Sequence, residues 1–464
     1  AARPCRKAPS ASHTSKAATI REVTSPLPAL LTGAAEFTVP LYSLEAEGLT
    51  LPFEFRYHSN GIRVHDDPCP WGYGWTLSPS IRISRRIIGR PDGFFTPADY
   101  SKDILTQSEC YHAMNDSMLD LSGWTPRLYP SFYTDPAPDI FTVQLPGKQF
   151  SVIFKKTETG YEAVTAACEE YRIETDDFLT WFRITDPTGC IYTFDVGGEY
   201  SLAPIFRTEW FPGSIELPSG SKINFSYIDC TSALHNMAEL VPAQYCFVCD
   251  ENSSAQRENV AYTHPYFRDG KHLASVEFEG KKVSLTYDGT REGERCIKNL
   301  VATIDGKEVS RADFTYDADR KMLQSIVTPE GEYAFEYDPH TFHEGSGRDW
   351  WGYSNGKGGG SPRLYADLTP ILSNDLAKIS HRGSDRSIDA ANMQARMLVK
   401  ATYPTGGSAR WEYEPHSFDP IGPTTVVGGY ISNATELSEG GGLRVKSALR
   451  GDEHHDEVRR LDIV

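Results

Sequence analysis

The sequence predicts a mainly β fold: sequential antiparallel hairpins in one extended, curved or spiral sheet, with few short helices. Three observations carry this. Aromatic residues make up 12% of the 464-residue chain, led by 24 Tyr and 22 Phe, which favour pleated, half-buried surfaces. Apolar residues alternate with polar ones, the period of a strand, in one segment after another. Turn residues separate those segments, and a unit of turn plus aromatic-x-Tyr recurs.

In chain order, Ala1 to Thr24 is rich in Ala, Ser, Lys and Arg and reads as part of an arm or linker over 1–30. A β region follows over 31–228. Phe37, Val39 and Leu41 alternate with other residues, as do Leu49, Leu51, Phe53, Phe55 and Tyr57, with Gly48 at the turn between them. Ser59-Asn60-Gly61 is a further turn signal, because Asn-Gly tolerates positive φ. Hairpins are expected across Pro146-Gly147, across Asp186-Pro187-Thr188-Gly189 and across Pro218-Ser219-Gly220. Ser101 to Pro130 reads as a loop within this region, and 229–272 as a loop or insertion after it. A repeat array is expected over 273–338, opened by a hairpin around Gly280. Residues 339–397 form a Gly-rich insertion with one short helix at about Ser387 to Leu398, from the spacing of Ile388, Ala391, Ala395 and Leu398. Further strands are expected over 398–464. They stop in a strand pattern with no cap, so the next strand is expected from more of the same polypeptide or from a partner chain.

The repeat is the strongest internal signal. Pro218-Ser219-Gly220 leads to Phe225-Ser226-Tyr227, Pro329-Glu330-Gly331 to Phe335-Glu336-Tyr337-Asp338, and Pro404-Thr405-Gly406-Gly407 to Trp411-Glu412-Tyr413-Glu414. Looser copies end at Tyr287-Asp288 and Tyr316-Asp317. An aromatic residue and a Tyr two apart face one side of a strand, so repetition lays an aromatic row on one face. An ordinary β-sandwich with common Pro-Gly hairpins is the plainer reading; five copies favour a stacked array.

Composition narrows the function. The net charge of -17 repels phosphate backbones, so nucleic acid is not an expected partner. No apolar run approaches the roughly 20 residues that span a bilayer, so no transmembrane helix is expected. Nine Cys fit an oxidising compartment, and the odd count leaves at least one thiol unpaired within the chain. Cys246 and Cys249 have C-x-x-C spacing, but no second pair supports zinc and no helix start supports thioredoxin-like chemistry. A disulfide between them, or of either with Cys230, is the favoured reading. His454-His455 sits among acids, but strand neighbours point opposite ways, so a solvated surface is expected. Asp66-Asp67 and the pair Asp135 and Asp139 could serve glycoside hydrolysis as paired carboxylates; each lies beside Pro and reads as turn chemistry instead. No catalytic residue, metal ligand or cofactor site is expected. Trp71, Trp75, Trp350 and Trp351 offer faces on which sugar rings could stack.

The repeat resembles the YD repeat of Rhs proteins, and the N-terminal region is similar to large exported Rhs-repeat proteins of Bacteroidota. Pro40-Leu41-Tyr42 with Leu49 to Tyr57 and His58-Ser59-Asn60-Gly61-Ile62 resembles the family's opening strands. Trp71-Gly72-Tyr73-Gly74-Trp75-Thr76-Leu77-Ser78 resembles its GxGWxL motif, and Trp351-Gly352-Tyr353-Ser354-Asn355-Gly356-Lys357 its WGYYNGK segment. Tyr403-Pro404-Thr405-Gly406-Gly407 to Tyr413-Glu414 resembles its YPTGG…FEYE segment. The resemblance implies a spiral β shell, which in relatives encloses a C-terminal toxin, and a secreted or cell-surface location in a polymorphic-toxin setting. Implied partners are the remainder of the same polypeptide (C-terminal Rhs repeats or effector) or a partner chain, and export machinery. Trp71, Trp75, Trp351 and Tyr353 are then motif aromatics that pack turns and strand ends. The long YD run and the toxin-cleavage motif are missing, and the Cys count is higher than the family pattern. The alternatives are an adhesive or glycan-binding β module and, behind it, a hydrolase.

Overall fold

The computed structural model describes residues 33–64, 66, 70–88, 138–157, 160–165, 170–176, 178–198, 200–202, 205–233, 238–242, 258–262, 266–288, 296–319, 322–342, 346–357, 385–418, 438–452 and 455–462. The fold is mainly β and antiparallel, as the sequence predicts. The strands are β1 (Ala35–Ala46), β2 (Leu49–Ser59), β3 (Trp75–Ser78), β4 (Arg82–Arg86), β5 (Ile140–Leu145), β6 (Lys148–Thr157), β7 (Gly160–Thr165), β8 (Arg172–Thr175) and β9 (Phe182–Thr185). They continue as β10 (Ile191–Gly197), β11 (Tyr200–Leu202), β12 (Ile205–Arg207), β13 (Glu209–Glu216), β14 (Lys222–Ala233), β15 (Ala238–Pro242), β16 (Glu258–Tyr262), β17 (Tyr266–Phe278) and β18 (Lys281–Asp288). The last are β19 (Cys296–Ile304), β20 (Lys307–Tyr316), β21 (Leu323–Thr328), β22 (Gly331–Tyr337), β23 (Leu398–Thr402), β24 (Ser408–Phe418), β25 (Ser438–Asp452) and β26 (His455–Asp462).

Two bodies of strands share one hydrophobic core. A three-stranded sheet, β1-β2-β3, stands apart from a long sheet that carries most of the chain. In the long sheet, β13 through β26 form a meander of sequential hairpins, interrupted by the small β15–β16 hairpin. β13 is the junction: one edge pairs with β10, the other with β4 and then β14. The strands from β4 to β10 curl back beside it, with β7 and β8 meeting at the seam. Phe141, Phe154, Phe182 and Trp210 fill that curl, with ring centroids 4.9–5.8 Å apart. The long sheet as a whole is extended rather than closed into a barrel.

Alternation explains the layers. β2 buries every second residue from Leu51 to Ser59, and β5 buries Phe141, Val143 and Leu145. The β1–β2 hairpin turns at Glu47-Gly48, both with positive φ, as a two-residue turn matched to strand twist requires. Because every hairpin is antiparallel, alternate connections fall at opposite ends of the long sheet. One rim carries the tight turns at Pro146-Gly147, Glu279-Gly280 and Asp305-Gly306. The other rim carries the long connections: β4 to β5, β14 to β17, β22 to β23 and β24 to β25.

Two local expectations change. The helix expected at Ser387 to Leu398 is one 3-10 turn, Asn392–Gln394. The Asp389 carboxylate accepts from the backbone N–H of Ala391 and Asn392 and starts the turn. Ala395 is then extended and Arg396 has φ +64, which ends it before β23. The stretch expected as a loop from Asp229 to Lys271 carries strand: β14 runs on to Ala233, β17 begins at Tyr266, and β15 pairs with β16 between them. Ser101 to Pro130 lies outside the described residues.

Candidate functional site

The repeated tyrosines do one job. The hydroxyl of Tyr227 donates to the Pro212 carbonyl at 2.9 Å, 15 residues back, and that of Tyr287 to Leu273 at 2.8 Å, 14 residues back. Tyr337 donates to Leu323 at 2.6 Å, 14 residues back, and Tyr413 to Leu398, 15 residues back. Each bond runs from the second strand of a hairpin back to the first, at its opening residue for Leu323 and Leu398 and farther along it for Pro212 and Leu273, and holds the pair in register. Each of these tyrosines, and Tyr316, also sits at a break in the ladder to the following strand. Such bulges bend a strand and increase its twist. The aromatic-x-Tyr unit is therefore a bend with a latch. Burial pushes the phenols of Tyr227, Tyr337 and Tyr413 up, so they remain donors at neutral pH.

The latches link to one another. Leu323 stands opposite Tyr316 in one ladder and accepts from Tyr337; Leu398 stands opposite Tyr337 and accepts from Tyr413.

The three-stranded sheet lies against the aromatic row. Phe37 meets Phe335, Tyr403 and Trp411 at 6.0, 5.4 and 5.9 Å. Phe55 meets Phe314 at 4.7 Å, and Trp75 meets Phe335 at 4.7 Å. Trp75, for which sugar stacking was the alternative to the packing role that the resemblance implies, is 1% exposed and belongs to this core. Its indole Nε1–H donates to the Tyr337 hydroxyl at 2.9 Å. Trp71 packs against the core, its ring 6.0 Å from Tyr287.

The other motif turn is organised by Asp349. One carboxylate oxygen accepts from the backbone N–H of Trp351 and Tyr353 at 2.8 and 2.9 Å; the other has no hydrogen-bond partner among the described residues. Burial raises this carboxyl above the ordinary range. Asn355, fully buried, donates to the carbonyls of Asp385 and Ser387, and Lys357 pairs with Asp385 at 2.7 Å. Motif glycines lie under motif rings. A Cβ at Gly440 would come 2.2 Å from Trp351, at Gly61 2.5 Å from Tyr353, and at Gly74 2.6 Å from Tyr57. Trp351 and Tyr353 thus pack the turn, while Trp350 remains 59% exposed with the Arg386 guanidinium 5.9 Å from its ring.

The remaining candidates separate. Asp139 is fully buried in an ion pair with Arg85 (Nε···Oδ2 2.6 Å) and also accepts from the Ile88 N–H; Asp135 lies outside the described residues. Asp66 accepts from the Arg63 N–H in a turn, and Asp67 is not described. Cys246, Cys249 and His454 lie outside the described residues, and of Cys230 and His455 only the strand backbone is described. Cys190 is a buried thiol, and Cys296 is also buried. Among the described residues no group of three His, Cys, Asp or Glu could hold a metal, and no helix is long and apolar enough to cross a membrane. Sequence reasoning missed Asp349 and Arg386 and read Tyr57 only as a strand residue; the Gly440-Gly441-Gly442 run was the visible signal for a closely approached backbone.

No protein-family model matches the chain, and no curated protein matches it. Among solved structures it is similar to TcdB2-TccC3, at 11% identity and a TM-score of 0.34 over 68% of this chain and 17% of that one. It is also similar to the N-terminal domain of the effector protein SpvB from Salmonella typhimurium strain LT2, at 14% identity and a TM-score of 0.34, over 65% of this chain and 99% of that one. The chain thus spans about a sixth of the length of TcdB2-TccC3.

Proposed function

We propose that this chain is a structural scaffold: a shell segment of a large secreted or cell-surface protein of the Rhs type, which encloses or presents an effector carried by the remainder of the polypeptide. The observation that supports it is the recurrence of one bend-and-latch unit along the long sheet, with the aromatic side chains used in packing. A device that repeats builds a surface of any required length. The three-stranded sheet covers the aromatic face, so this segment serves as a filled end of the shell rather than as its hollow part. The test is protease protection in the full-length polypeptide. Sequence following residue 464 should resist cleavage while the scaffold is folded and lose that protection when Phe37→Ala and Phe335→Ala open the core. Equal cleavage of both proteins, or a natural polypeptide that ends at Val464, would overturn the reading.

A glycan-binding or adhesive module is the second reading, favoured by one observation: Trp350 is exposed beside a guanidinium. Binding on a glycan array that disappears with Trp350→Ala, and survives Trp181→Ala at another exposed site, would support it. No binding by the folded protein would reject it.

A further inference from the structure

We infer that the three-stranded sheet is a template that sets the register of four successive repeats of the long sheet, each through a separate contact. The inference deepens the scaffold reading: it concerns how the array is held, whatever the array encloses. Four residues of β2, of β3 or of the segment joining them each meet a different repeat. The Trp71 ring packs on Tyr287. The Pro70 carbonyl accepts from the Tyr316 hydroxyl at 3.3 Å and from the Ile297 N–H at 3.2 Å. Trp75 donates to the hydroxyl of Tyr337, which itself donates to Leu323. The Tyr57 hydroxyl accepts from the Leu398 N–H at 3.0 Å, and the Leu398 carbonyl is the acceptor for Tyr413.

The order of these contacts along the sheet follows the order of the repeats, from β18 to β24. Tyr316 shows the dependence most clearly. The other four repeat tyrosines bond a carbonyl of their own hairpin; the Tyr316 hydroxyl bonds the Pro70 carbonyl, on the template side, and so ties its strand directly to the template. Among the described residues Tyr227, on β14, has its latch without a hydrogen bond or ring contact to the template and serves as the internal control. Hydrogen bonds in series polarise one another, so losing the Trp75 donor weakens the Tyr337–Leu323 bond beyond it. A slip of one residue in any of these hairpins would turn the aromatic row to the other face, and the four contacts oppose that slip.

The experiment is hydrogen exchange on the intact chain. Trp75→Phe keeps a ring and removes only the Nε1–H. It should speed exchange in β21, β22 and β23 by about 2- to 10-fold, the size of one lost hydrogen bond. Tyr227→Phe should speed exchange in β13 and β14 and leave β21 to β23 unchanged. Tyr316→Phe, a variant that leaves Trp75 intact, should speed exchange at β2 and β3 as well as at β20. In the Tyr337→Phe background, Trp75→Phe should add little. Changes confined to β3 in Trp75→Phe, or full additivity with Tyr337→Phe, would overturn the inference. Loss of protease protection downstream is a separate readout, so the template can hold while the enclosure reading fails.

Discussion

At the scale of single residues, Asp349 and Asp385 lie in one polar cluster, joined through Asn355 and Lys357, and respond to pH in opposite senses. Burial raises Asp349, so its ionised form is disfavoured in the folded chain. Its contribution to stability therefore improves as pH falls through the raised folded value towards the unfolded one. The hydrogen bond from Lys357 leads the causes that hold Asp385 below the ordinary range, so its contribution is present above the unfolded value and lost as pH falls through the folded one. Asp349→Asn keeps an acceptor for the two N–H groups and removes the buried charge. It should match or exceed the wild-type denaturation midpoint at pH 7, with a flatter profile across the acid range. Asp349→Ala strands those N–H groups and should cost about 1–3 kcal/mol. The roles of the repeat tyrosines were partly legible, since their spacing and flanking turns are sequence features. The resemblance implied a packing role for Trp75; the sheet against which it packs was not legible, because nothing in a local pattern says which sheet will cover a given face.

At the scale of elements, ion pairs stand at the bases of the long connections. Arg85–Asp139 closes the β4 to β5 connection, Lys271 pairs with Asp229 across β14 and β17, and Arg444 pairs with Glu414 across β24 and β25. They differ in burial, and that decides their worth. Arg85 and Asp139 are almost wholly buried, so Arg85→Met leaves an uncompensated charge and should cost about 3–5 kcal/mol in chemical denaturation. Glu414→Gln, at a partly exposed pair, should change stability by about 1 kcal/mol or less. Hairpins were the most legible elements, because Gly at positions such as Gly147 and Gly280 marks turns that need positive φ. The expected helix shows the limit: Ile388, Ala391, Ala395 and Leu398 have helical spacing, but Asp389 and Arg396 bracket a single 3-10 turn.

At the scale of the whole molecule, the sequence announced a repeating sheet and concealed its second layer. The alternation in β1 and β2 showed two strands with a buried face; it did not show that this face would lie on residues far along the chain, such as Phe335 and Trp411. The two rims of the sheet should also differ in tolerance. Six Gly/Ser residues inserted after Asp319, in the β20 to β21 connection, should shift the thermal midpoint little, since each doubling of a loop costs only about 0.6 kcal/mol. The same insertion within Asp305-Gly306 replaces a two-residue turn that fixes register and should shift it substantially.

That asymmetry separates measurement from embellishment. Every tight turn on one margin sets how far one strand is offset from the next, and so fixes the positions at which the tyrosine hydroxyls find their carbonyls. Chain added at the opposite margin enters after a strand has already been latched, and it alters no spacing in the aromatic row. A lineage carrying this fold can accumulate new sequence along one border, as in the 60-residue interval from Asp338 to Met397, while the gauge against which the strands are set remains the same.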